Sequence, residues 1–134
     1  MNRSHLRTLL YVDDEPDIRQ IVQMALGLAP GLSIHTGDSG ENALWLARTL
    51  RPDLVLLDVM MPGLDGPGTL TRMRSDPTLA QIPVVFMTAK AMPQEVARFR
   101  ELGAAGVIAK PFDPMKLAQQ VLAIWETIPA GTPA

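Results

Sequence analysis

The 134-residue chain has no cysteine, so it can form neither a disulfide framework nor a thiolate metal site. That composition suits a reducing compartment, and the cytoplasm is the expected location. Long hydrophobic runs are also missing: none approaches the roughly 20 residues that a membrane-crossing helix needs. The amino-terminal LRTLLYV is too short for a signal core and runs at once into Asp13, Asp14 and Glu15, so it reads as the first strand of a soluble protein. Charge of one sign is not in excess. A net charge of −2, with basic residues scattered along the chain, gives no electrostatic case for direct nucleic-acid or membrane binding. There is no internal repeat. The length suits one domain able to bury roughly two-thirds of the surface its unfolded chain exposes.

What is present is an alternation. Five β-rich runs, Thr8 to Val12, Ser33 to Thr36, Leu54 to Asp58, Val84 to Met87 and Gly106 to Ala109, alternate with five helical patterns. The helices are expected over Pro16 to Leu28, Glu41 to Leu50, Gly66 to Arg74, Pro93 to Leu102 and Pro114 to Trp125. This rhythm predicts a three-layer, doubly wound α/β fold with a parallel sheet. The first, third and fourth runs are apolar almost throughout, as central strands covered on both faces should be, whereas SIHT is polar enough for an edge. In the first helix Ile18, Val22, Ala25 and Ala29 share one face, and Arg19, Gln20 and Gln23 take the other. Asp14 or Glu15 is placed to cap it, with Pro16 in its first turn. Gly103 is placed to end the fourth helix in the left-handed conformation. The domain is read over residues 1–127, and IPAGTPA, Ile128 to Ala134, as a flexible tail or the start of a linker.

In such a sheet the strands deliver their last residues to one edge, where ligands bind. The residues delivered here are Asp13 and Asp14, Asp58, Thr88 and Lys110. Singly, each has an ordinary explanation, such as a cap or a solvated lysine. Three carboxylates, a hydroxyl and an ammonium on one edge do not. Two carboxylates ~4 Å apart repel by about 4 kcal/mol at an effective dielectric near 20. A divalent cation would offset that repulsion, and an all-oxygen, carboxylate-rich site suits Mg²⁺.

YVDDE at Tyr11 to Glu15, LLDVMMPGLDG at Leu56 to Gly66, VVFMTA at Val84 to Ala89 and GVIAKPF at Gly106 to Phe112 resemble, in order and spacing, the signatures of the response-regulator receiver domain. The resemblance covers roughly residues 6–126. It implies the strand order 2-1-3-4-5 and a cis Lys110–Pro111 bond. Asp58 corresponds to the phosphoacceptor. Asp14, Asp58 and the backbone carbonyl of Met60 correspond to direct Mg²⁺ ligands, and Asp13 to a ligand acting through water. Lys110 corresponds to the residue that pairs with the phosphoacceptor and its phosphoryl group, and Thr88 to the one that senses that group. The implied partners are a histidine kinase or histidine phosphotransfer protein and an unidentified downstream protein, reached through the fourth helix, fifth strand and fifth helix. A phosphorylation-dependent dimer is compatible with the family. Such a module is not a conventional enzyme, although it catalyses its own phosphorylation and slow dephosphorylation.

Val107 departs from the family pattern, which often has tyrosine or phenylalanine there, so any signal is expected to pass by repacking around Phe99 and Val107. Met60 and Lys90 occupy positions that influence acyl-phosphate lifetime in the family. Gly63 and Gly66, with Pro62, are expected to let the backbone turn tightly beside the site. An aspartate-dependent phosphatase of the haloacid dehalogenase type would need its proton donor where Met60 stands. A flavodoxin-like carrier would not place Asp13, Asp14 and Glu15 in its first loop, and a non-phosphorylated pseudo-receiver would not keep every site residue. GDSGE at Gly37 to Glu41 resembles a protease nucleophile loop, but the chain is too short for that fold and Ser39 reads as a helix cap. GLDGPG at Gly63 to Gly68 lacks the lysine of a phosphate loop and reads as a turn. His5 and His35 read as surface or edge residues. The methionines read mostly as core fillers, with Met92 and Met115 also suited to a partner surface.

Overall fold

Each apolar run becomes a parallel strand in the computed structural model, which describes residues 5–129. The strands are β1 (Thr8–Val12), β2 (Ser33–Gly37), β3 (Leu54–Asp58), β4 (Val84–Thr88) and β5 (Gly106–Ala109). They alternate with α1 (Pro16–Leu26), α2 (Gly40–Leu50), α3 (Gly66–Ser75), α4 (Pro93–Glu101) and α5 (Leu117–Thr127). The sheet order is β2-β1-β3-β4-β5, so the polar SIHT run does lie at an edge. β3 and β4 are buried along their whole length, which explains their unbroken apolar sequence.

Period-two alternation sorts the strand side chains into two cores. Leu10, Val12, Val55, Leu57, Val84 and Phe86 meet α2, α3 and α4 on one face. Leu9, Tyr11, Leu54, Leu56, Val85, Met87 and Ile108 meet α1 and α5 on the other. The helices supply the complementary stripes: Val22, Ala25 and Leu26 from α1 and Leu117, Val121 and Trp125 from α5 are buried against the second core.

Several helix ends differ from expectation. The Glu15 side chain makes no capping bond; instead Asp13 Oδ1 accepts the Glu15 N–H at 3.0 Å, so the carboxylate just before the expected caps organises this entry. α1 stops at Leu26 because tighter turns take over, with the Leu28 and Ala29 amides donating to Ala25 and Leu26. α5 begins at Leu117 rather than Pro114. Asp113 accepts the Met115 amide on its side chain and the Lys116 amide on its carbonyl, and that local turn occupies the start of the pattern. Ser39 caps α2 as read, accepting the Asn42 amide at 3.0 Å, and Asp65 caps α3 through the Gly68 amide at 2.8 Å. Gly103 follows α4 with φ +112°, as expected of a helix-ending glycine.

Only part of the methionine reading holds. Met61, Met73 and Met87 are buried, but Met24, Met60, Met92 and Met115 are exposed, because they fall on the outer face of α1 and on loops. His5 is exposed and His35 half-buried on the edge strand. Of the expected tail, Ile128 is half-buried against the α1/α5 core, while residues 130–134 lie outside the described residues.

Candidate functional site

The ladder hydrogen bonds run just beyond the carboxyl ends of the strands and so fix the backbone where the polar residues emerge. Asp13 donates its amide to Gly37 at 3.2 Å, Val59 to Met87 at 3.1 Å and Lys110 to Thr88 at 2.8 Å. Asp13, Asp14 and Asp58 thereby meet at one edge, with one oxygen from each carboxylate within 4.8 Å of the others. Lys110, at the end of β5, reaches across with its Nζ 2.9 Å from Asp58 Oδ1 and 3.4 Å from Asp13 Oδ2. Thr88, buried beside them, accepts the Lys90 amide on Oγ1 at 3.0 Å. The structure therefore brings together the candidate side chains from β1, β3, β4 and β5. The Met60 side chain, two residues past Asp58, is 72% exposed and contributes nothing to the buried cluster. The Lys110–Pro111 bond is cis.

The carboxylates are not equivalent. Asp13 is fully buried and accepts bonds on both oxygens, from the Glu15 amide on Oδ1 and from Tyr11 and Lys110 on Oδ2. Asp58 is nearly buried, and among the described residues only Lys110 donates to it, through Oδ1. Asp14 is more open, and its carboxylate accepts no hydrogen bond among the described residues. Burial pushes the Asp58 carboxyl above its ordinary value; the Lys110 hydrogen bond opposes this, while the charges of Asp13 and Asp14 reinforce it. For Lys110, burial favours the neutral amine, but the hydrogen bond and charge of Asp58, together with Asp13, outweigh it and raise the ammonium's affinity for its proton. An excess of buried negative charge with free oxygens on Asp14 and Asp58 is a hard, all-oxygen donor set of the kind that fits a small divalent cation.

Two polar contacts were not legible in the sequence. The Tyr11 hydroxyl donates to Asp13 Oδ2 at 2.6 Å, although Tyr11 reads as one more apolar strand residue. Burial, then that hydrogen bond and then the neighbouring carboxylates hold the phenol firmly protonated. Arg19, assigned to the outer face of α1, donates from Nη1 to the Asp13 carbonyl at 2.8 Å. The loop glycines also divide their roles. Gly63 has φ +73°, as a tight turn requires, but Gly66 is there for space: a Cβ would lie 2.6 Å from the Asp58 carbonyl oxygen.

Comparison with known proteins agrees with this arrangement. The family model of the response regulator receiver domain matches residues 9–122. The chain is 40% identical over 120 residues to the probable transcriptional regulator ycf27 of Cyanidium caldarium, covering 90% of this chain and 47% of that protein. It is 34% identical over 118 residues to the phosphate regulon transcriptional regulatory protein PhoB of Pseudomonas aeruginosa, covering 88% of this chain and 51% of that protein. The chain thus spans about half the length of these curated relatives. Among solved structures, the chemotaxis response regulator CheY4 of Vibrio cholerae superposes with a TM-score of 0.81 at 29% identity, covering 90% of this chain and 99% of that one. From its four motifs, its strand order and these matches together, the chain belongs to the response regulator receiver domain family.

Proposed function

We propose that the chain is a phosphorylation-controlled switch that accepts a phosphoryl group from the phosphohistidine of a histidine kinase or phosphotransfer protein onto Asp58. The observation that carries this reading is the Asp58 carboxylate at the ligand-binding edge of the sheet, paired to Lys110 at 2.9 Å with Asp13 and Asp14 alongside. One oxygen of the Asp58 carboxylate, to which Lys110 alone donates among the described residues, attacks phosphorus. An O–P bond forms as the N–P bond breaks, and the imidazole leaves with the electron pair. Asp14, Asp58 and the Met60 carbonyl would hold Mg²⁺ directly, and Asp13 through water. When bound, the ion neutralises the carboxylates and draws charge from the phosphoryl oxygens. Lys110 keeps its proton and supplies a fixed positive charge to the oxygens that become more negative. Thr88, whose Oγ1 accepts the Lys90 amide, can donate its own O–H to a phosphoryl oxygen and so register its arrival. The added charge would shift a two-state equilibrium read by a downstream protein on the α4, β5 and α5 face.

Incubation with Mg²⁺ and acetyl phosphate tests this. A mass gain mapped to Asp58, absent with EDTA and in Asp58→Asn, is expected. Turnover of external phosphoesters would favour a phosphatase, and an unmodified protein would favour a pseudo-receiver.

A further inference from the structure

Tyr11 is wholly buried in the α1/α5 core, where phenylalanine would fill the same volume without a polar atom to satisfy. Its hydroxyl nonetheless has a partner. Strand alternation puts Asp13, two residues on, on the same side, and the 2.6 Å contact lies in the range of a hydroxyl donating to a carboxylate. The Asp13 carboxylate now carries three donors: the Glu15 amide on Oδ1, and the Tyr11 hydroxyl and Lys110 ammonium on Oδ2. Few lone pairs remain for anything else.

We propose that Tyr11 is a positioning residue whose hydroxyl occupies Asp13 and draws off part of its charge, restraining Asp13 to a water-mediated role and holding the site's affinity for Mg²⁺ below what three unencumbered carboxylates would give. The inference rests on the Mg²⁺-dependent reading of the site. A hydrogen bond and a cation that both draw on one carboxylate oppose each other, and by linkage the loss of one strengthens the other. Orientation does not cancel the effect. In Tyr11→Phe the Glu15 amide and Lys110 still hold Asp13, so what changes is chiefly the charge left on its oxygens.

The test is calorimetric titration of Mg²⁺ into the wild-type protein and Tyr11→Phe, without a phosphodonor. The variant is expected to bind roughly three- to tenfold more tightly. Equal or weaker binding by a folded variant overturns the proposal. A second measurement needs no substitution, because Tyr11 is the single tyrosine of the chain. Its Cζ resonance, labelled with ¹³C, should move during the Mg²⁺ titration with the Kd found by calorimetry, and a resonance that stays still while the ion binds also overturns it. A wild-type protein that binds no Mg²⁺ removes the reading of the acidic site and this inference with it. Binding with an unmoved resonance or an unchanged variant removes this inference alone.

Discussion

Lys110 and Asp58 stand 52 residues apart in sequence, yet the ammonium of one lies 2.9 Å from the carboxylate of the other, although the strands that carry them are separated by β4. One cation thus ties the end of β5 to the end of β3, over Thr88. Even so it leaves the Asp58 carboxyl above its ordinary value, since burial and two acidic neighbours outweigh it.

A raised carboxyl pKa makes ionisation of Asp58 a cost to folding. Below the ordinary value of 3.8 both folded and unfolded states are protonated and no cost arises; it grows as pH rises and is complete above the raised folded value. Asp58→Asn should therefore stabilise the metal-free protein at neutral pH and raise its Tm. Thermal unfolding in EDTA at neutral and acidic pH checks this. The gain should disappear at acidic pH, and a variant no more stable than wild type at neutral pH would contradict it.

Met60, two residues past Asp58, is exposed, and its thioether cannot orient an attacking water. Met60→Asn should shorten the life of the acyl phosphate about tenfold, a change of about 1.4 kcal/mol in barrier. Decay of the phosphorylated mass after removal of the donor measures it. Equal or slower loss from the variant would count against the idea.

Gly66 brings the start of α3 against the backbone of Asp58 and Val59. Gly66→Ala should push that loop away, costing about 1–3 kcal/mol by overpacking. Because the displaced segment adjoins Asp58, Mg²⁺ affinity should fall in the same variant. Chemical denaturation and calorimetry together decide it: a stable variant with unchanged affinity would show that the contact is incidental.

Val107 pairs with Phe86 across the β4/β5 ladder, and Phe86 meets Phe99 of α4 edge to face at 4.9 Å. With no aromatic ring at Val107 to rotate, phosphorylation should register in α4 through this packing. Amide shifts over Pro93–Glu101 are expected on phosphorylation and should shrink in Phe99→Leu, at a stability cost of about 1–2 kcal/mol. Shifts confined to the metal-site loops would remove this route.

Much of this site was legible because strand ends are marked in the chain. Asp13, Asp58 and Lys110 each follow an apolar run, and a parallel sheet sends all such ends to one edge. The helix entries were harder. Asp13 rather than Asp14 or Glu15 organises the start of α1, and the choice among three adjacent acidic residues depends on backbone angles that no pattern records.

Hydrophobic period and turn chemistry, both local, determined the five βα units, the buried central strands and the set of polar residues at their ends. The position of β5 beside β4, which brings Lys110 to Asp58, is a property of the closed sheet; in the sequence reading it came from family resemblance and not from any local signal. Only tertiary structure decided that the Tyr11 hydroxyl would be spent on Asp13 and the Arg19 guanidinium on its carbonyl. A hydrogen bond is fixed by the position and direction of two groups at once, and those exist only after the elements have packed.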